Sequence, residues 1–309
     1  MQARIHGWQP LDLHEWQETQ AALQLRTQIV GKTRLVLEPP QNHWWHATLY
    51  VTARGLSTSP MPVGANALEI EFDFIAHELI VRRSDGAVRA LPLRAQSIAE
   101  FYEEYLELLR SLDVHIRLWP MPQELPEPIR FTEDTRARPY DRAAVEKFFG
   151  VLSRVDRPLK EFRGRFLGKS SPAHFWWGSF DMACTRFSGR RAPRHPGGIP
   201  NLADWVTREA YSHECISGGW WPGTPGGAVP EAAFYAYAYP EPLGCATAPV
   251  KPAAARYDTT LHEWILPHDA VVRSADPDAL VLEFLQSTYD IASALGSWSG
   301  ELVREGATK

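Results

Sequence analysis

Three short blocks occur twice in this chain, in the same order, and they constrain the fold more than any other feature. Ile29-Val30-Gly31-Lys32 is matched by Phe166-Leu167-Gly168-Lys169, and Trp44-Trp45 by Trp176-Trp177. The spacing from Trp45 to Arg54 equals that from Trp177 to Arg186. DFIAHELIV at 73–81 is matched by DTTLHEWIL at 258–266, and each half then ends in a stretch of helical period carrying Glu-Phe, Glu100-Phe101 and Glu283-Phe284. Ordered repetition of this kind is the mark of internal duplication. The expected architecture is therefore α+β, with two tandem repeats, each an antiparallel sheet flanked by helices. The expected divisions are a first repeat over 1–118, a linker over 119–139, and a second repeat over 140–309 with a long insertion at 190–255. The sheets could pack face to face or join edge to edge, with a cleft between them.

Local signals place the elements. Asp12 suits the cap of a first helix, with Glu15 where a capping-box partner belongs. Gly31 and Pro39-Pro40 are expected to end it. Strand-like runs follow at 34–37, 44–53, 68–75, 79–83 and 87–93, with a turn at Ser84-Asp85-Gly86. Ser97 and Glu100 form a capping box ahead of Ile98, Phe101, Tyr105, Leu108 and Leu112, one face of an amphipathic helix. Pro-rich 119–139 reads as a linker. Asp141 caps a further helix with Ala144, Val145, Phe148, Phe149 and Leu152 on one face. Strands are expected at 174–187, 234–239 and 257–266, with loops at 190–200 and 218–230. Asp276 and Pro277 open a last helix.

Several function classes fall away. With 44% hydrophobic and 22% charged residues the chain is neither disordered nor membrane-spanning. A net charge of −5 opposes a nucleic-acid partner held through phosphates. Three cysteines without metal-ligand spacing argue against a disulfide framework, and 1–25 lacks an apolar leader core, so a reducing cytoplasm is the expected location. Gly168-Lys169-Ser170 and Gly31-Lys32-Thr33 are not phosphate loops: Arg163 and Arg26 stand where the first glycine is required, and Pro172 blocks a helix after Lys169. A helix-ending glycine beside a cation is the simpler account. No serine occupies a nucleophile elbow.

Four segments carry a resemblance. They are QIVGKTRL at 28–35, NHWWH at 42–46, GKSSPAHFWWGSFDMACTRFSGR at 168–190 and EAYSHE at 209–214. Together they resemble a bacterial family catalogued as a domain of unknown function, over nearly the whole chain. The resemblance implies a shared fold and site, but no activity, substrate or cofactor. It also implies apolar residues at 184 and 215, where Cys184 and Cys215 stand, which argues against a thiol nucleophile.

Chemistry-bearing side chains bunch in the second half. On a strand, Trp176, Phe180, Met182, Cys184 and Arg186 would share one face, and Trp177, Ser179, Asp181, Ala183 and Thr185 the other. Asp181 is a lone carboxylate in an apolar run and needs a partner; Arg186, Arg190, His174 and His213 are the candidates. His213, with Asp181 or Glu214, is the expected acid–base set. His174, Trp176, Trp177, Arg186, Arg190 and Trp221 are the expected ligand-binding residues, the arginines pointing to an anion. In the first half, Trp44, His46, Thr48, Tyr50, Thr52 and Arg54 would share a strand face, as a binding surface or a solvated sheet would. His43 and His46, three apart on a strand, point oppositely and make a poor metal pair. Asp73 with His77, and Asp258 with His262, read as structural turns. The expected function is thus a small-molecule enzyme or binder with its pocket in the second repeat. The alternative is a non-catalytic interaction protein whose Trp pairs are core or interface anchors. A divalent-metal site of His174, His213 and Glu214 is a further option. No particular cofactor is implied.

Overall fold

Asp12 accepts a hydrogen bond from the His14 N–H and opens α1 (Leu13–Leu37). This is a computed structural model, and it describes residues 7–224 and 229–303. Gly31 does not end α1, and the strand expected at 34–37 is its last turn. The glycine serves a close approach instead. A Cβ there would lie 2.2 Å from Cδ1 of Trp177, whose indole N–H donates to the Ala47 carbonyl.

The first part of the strand expected over 44–53 is also replaced. Asn42–Ala47 forms a short 3-10 turn in which His43 (φ 58°) and Trp44 (φ 62°) take left-handed conformations, so the two-residue alternation is lost. The turn packs on a helix of the other half, a contact invisible in local sequence. The first sheet comprises β1 (Tyr50–Val51), β2 (Gly55–Ser57), β3 (Met61–Val63), β4 (Asn66–Asp73), β5 (Glu78–Arg83) and β6 (Val88–Pro92). It runs β1-β2-β4-β5-β6, with β3 also on β4. Leu56, Met61, Leu68, Ile70, Phe72, Leu79 and Val81 are fully buried in it. The Ser97–Glu100 capping box opens α2 (Ile98–Arg110), which packs on α1.

The stretch 119–139 is irregular but not a free tether. Phe131 is fully buried, Arg138 pairs with Asp134 under cover, and the Gln123 N–H donates to Gln28 Oε1 of α1 (2.7 Å). Asp141 caps α3 (Arg142–Gly164); of the five expected apolar residues Val145, Phe148, Phe149 and Leu152 are buried and Ala144 is half-buried. The run 174–187 is a hairpin rather than one strand: β7 (His174–Trp176), a turn with Phe180 at φ 63°, and β8 (Asp181–Arg191). Then come α4 (Asp204–Ala210), β9 (His213–Trp221), β10 (Ala233–Tyr239), β11 (Arg256–Asp258), β12 (Glu263–Pro267), α5 (His268–Val272) and α6 (Pro277–Leu295). The second sheet runs β11-β12-β10-β9-β8-β7. One of its faces is covered by α3 and α6.

The expected architecture is present: two six-stranded antiparallel sheets, each flanked by helices. They join edge to edge, where Leu49, just before β1, bridges to Phe175 of β7 through two 2.9 Å backbone hydrogen bonds. The segment expected as an insertion supplies β9 and β10, the middle of the second sheet. Gly218 and Gly219, which suggested a loop, lie within β9; residues 225–228 of that expected loop lie outside the described residues. A Cβ on Gly218 would meet Leu285 of α6 at 2.5 Å, and one on Gly219 would meet the Met182 carbonyl at 2.2 Å and the Tyr235 ring at 2.6 Å. Glycine in a strand here permits close approach.

The two strand orders differ, and of the three repeated blocks only the last takes the same local form in both halves. Asp73 Oδ1 accepts from the N–H groups of Ile75 and Ala76, and Asp258 Oδ1 from those of Thr260 and Leu261. His77 (φ 58°) and His262 (φ 59°) close the two turns. Both are structural turns, as expected. No helix among the described residues is long and apolar enough to cross a membrane.

Candidate functional site

The face of the second sheet opposite α3 and α6 forms the floor of a cavity of about 450 Å³. Side chains two apart on each strand point into it: Asp181, Ala183, Thr185 and Phe187 from β8, Cys215, Ser217 and Trp221 from β9, Tyr235 and Tyr237 from β10, Glu263 and Ile265 from β12. The roof comes from elsewhere. His43, Trp44 and Trp45 arrive from the first half, Gln123 and Glu124 from the irregular connection, and Leu202, Val206 and Tyr211 from the α4 region. Gln28 of α1 fixes part of this roof, since its amide donates to the Gln123 carbonyl (3.0 Å) while its oxygen takes the Gln123 N–H.

Asp181 sits at one end, 6% exposed. Its carboxylate accepts from the hydroxyls of Ser179 and Tyr235, not from Arg186, Arg190, His174 or His213. Burial pushes its pKa up to about 6 against the opposing effect of those two donors. Glu124 and Glu263 line the same cavity and are partly covered. Glu124 is raised to about 7 by burial and then by the charge of Asp181. Glu263 is raised to about 7 by burial, Asp181 and Asp258. Glu124 lies over Gly178, where a Cβ would stand 2.2 Å from its Oε1. No ion pair among the described residues involves any of the three. Three carboxyls ionising near neutrality thus share an apolar, aromatic enclosure without a countercharge.

Of the residues expected from sequence, Asp181, Trp176, Trp177 and Trp221 line this cavity. His213 lies beyond its far end, its ring 5.6 Å from that of His43. Glu214 is paired with Arg190 (2.6 Å), and Arg190 also donates to the Gly296 and Ser297 carbonyls after α6. Arg186 is fully buried on the helix-covered face of the sheet. Its guanidinium lies 3.4 Å from the Phe162 ring centroid and 4.4 Å from that of Tyr289, and donates to the Phe162 carbonyl. Alternation along β8 puts Arg186 opposite Asp181, so closeness in sequence is not closeness in space. His174 is buried at the junction of the halves, with Nδ1 2.9 Å from Thr48 Oγ1, and burial holds its pKa down to about 3. His174, His213 and Glu214 therefore do not converge, and no group of three or more His, Cys, Asp or Glu among the described residues is placed to hold a metal ion.

Sequence reasoning missed Glu124, Tyr235, Glu263 and the role of His43. Tyr235 had a readable signal, since Tyr235, Tyr237 and Tyr239 alternate with Phe234, Ala236 and Ala238. Glu124 had none, because its position depends on how 119–139 folds back over the hairpin.

A family model described as "Family of unknown function (DUF5996)" matches residues 8–305. No curated protein and no solved structure matches the chain.

Proposed function

The chain belongs to this family of unknown function, and we propose that its cavity binds a small organic cation, an apolar or aromatic molecule bearing a protonated amine. The observation that carries the reading is that Asp181, Glu124 and Glu263 line one aromatic cavity, with the charge of Asp181 acting on the other two and no basic partner among the described residues. A buried ammonium beside them would relieve that repulsion and draw all three toward the ionised state. Trp176, Trp177 and Trp221 supply apolar wall for the rest of the ligand. The volume suits a ligand of drug-like size.

The small-molecule expectation is kept, and the sign of the ligand's charge is reversed. The two arginines that suggested an anion are engaged elsewhere, Arg186 beneath α3 and α6 and Arg190 with Glu214. The interaction-protein alternative required fully packed Trp pairs and no concave polar site. Trp176 and Trp221 are half-buried and border the cavity, which favours binding of a ligand. A cytoplasmic location and the lack of a nucleic-acid partner are retained as part of this proposal.

The test is a pair of probes with similar skeletons and opposite charge, 2-phenylethylamine and 3-phenylpropionate, titrated at pH 8 with tryptophan fluorescence as readout. The amine binds and the carboxylate does not, and Asp181→Asn weakens the amine by on the order of tenfold. Equal or tighter binding of 3-phenylpropionate would refute the reading.

A further inference from the structure

The end of the cavity away from Asp181 holds a second, different polar group. His43 is 3% exposed and lines the cavity there, its ring 4.4 Å from that of Phe187. Asp181 and Phe187 stand six residues apart on β8, about 20 Å along an extended strand. The backbone of His43 and Trp44 is left-handed, a conformation uncommon outside glycine. Two bonds to the α4 segment hold it: the His43 N–H donates to Glu209 Oε1 (2.9 Å), and Nδ1 lies 2.7 Å from the Ala210 carbonyl oxygen.

A carbonyl oxygen can only accept, so Nδ1 carries a proton. Burial, with Lys169 and His213 nearby, keeps the ring neutral. Nε2 then presents a lone pair, and among the described residues it is buried without a partner. A buried acceptor left unpaired is a cost to the fold. A donor that reaches it would remove that cost.

We propose that His43 Nε2 is a second recognition point, accepting a hydrogen bond from a neutral hydroxyl or amide N–H on the end of the ligand opposite its ammonium. The ligand class is thereby narrowed to an elongated amine with a terminal donor, an amino alcohol or amino amide. A second ammonium fits less well, because Lys169 and His213 act against positive charge at His43. The inference rests on the proposed reading of the carboxylate end as an ammonium site.

The experiment compares α,ω-amino alcohols of six to twelve carbons with n-alkylamines of equal length, by calorimetry at pH 8 on the full chain. At the length that spans the two ends, the hydroxyl improves affinity by on the order of threefold to tenfold. In His43→Phe the ratio of amino alcohol to alkylamine affinity falls to about one, whatever the variant does to alkylamine affinity itself. Should the variant fail to fold, the wild-type series still decides, together with the ¹⁵N shift of His43 Nε2, which moves with the amino alcohol and not with the alkylamine. Alkylamine binding with no hydroxyl advantage at any length overturns this inference alone. Failure of every amine to bind overturns it together with the ammonium reading.

Discussion

Replacing Asp181 with asparagine separates what this carboxylate costs from what it is for. In the folded chain its pKa rises from the ordinary 3.8 to about 6, mainly by burial. Two units of pKa correspond to about 3 kcal/mol between the protonated and ionised forms. A carboxyl whose native pKa is raised binds more protons in the folded than in the unfolded state. Stability therefore falls as pH rises from about 4 through about 6, and the full cost is present above that window. Asparagine is close in shape and never ionises. Its oxygen can still accept from Tyr235 and Ser179, though a neutral acceptor takes weaker bonds, each poorer by about 0.5–1 kcal/mol. The expected net result is a variant about 1–2 kcal/mol more stable than the native chain at pH 8 and no more stable at pH 4. Urea denaturation at half-unit pH steps measures this. The same variant binds 2-phenylethylamine poorly, so stability and binding change in opposite directions. An Asp181→Asn protein less stable than wild type at pH 8, or a difference that does not vary with pH, would refute the reasoning.

Other substitutions test the supporting geometry. Gly219→Ala places a methyl group against the Tyr235 ring and the Met182 carbonyl, and should cost about 2–3 kcal/mol in denaturation and abolish amine binding in the folded fraction. Gly31→Ala improves intrinsic helix propensity yet collides with the Trp177 indole, so a net loss of about 1–3 kcal/mol is expected, read by thermal unfolding. Arg186→Ala empties the space between Phe162 and Tyr289 and should destabilise by about 2–4 kcal/mol, while amine affinity stays within about twofold by fluorescence titration. Amine affinity should rise from pH 5.5 to pH 8 as the three carboxyls ionise, then level off, by calorimetry in buffers of constant ionic strength.

Helix starts were legible because a cap is a local device. Asp12, Ser97 with Glu100, Asp141, and Asp276 before Pro277 all bond to N–H groups within three residues, so sequence spacing alone carries the information. The turns at Asp73 and Asp258 were legible for the same reason. The turn at His43 was not, because its left-handed residues are held by Glu209 and Ala210, far away in the chain. Glycines misled where they serve packing: Gly31 lies inside a helix against Trp177, and Gly218 and Gly219 inside a strand against Leu285 and Tyr235. At the site, Asp181 stood out as a lone carboxylate among apolar neighbours. Its companions Glu124 and Glu263 come from segments on other sides of the cavity, and only the folded chain brings them together. Arg186 illustrates the opposite error, a neighbour in sequence that the pleat turns to the other face of the sheet.

The most direct measurement is the titration of the side-chain carboxyl carbons of Asp181, Glu124 and Glu263 by ¹³C NMR, without and with saturating 2-phenylethylamine. Free pKa values of about 6, 7 and 7 are expected, with a drop of at least about one unit in the bound state and protons released on binding. Free values near the ordinary carboxylate range, or raised values that do not move when the amine is added, would contradict the ammonium reading.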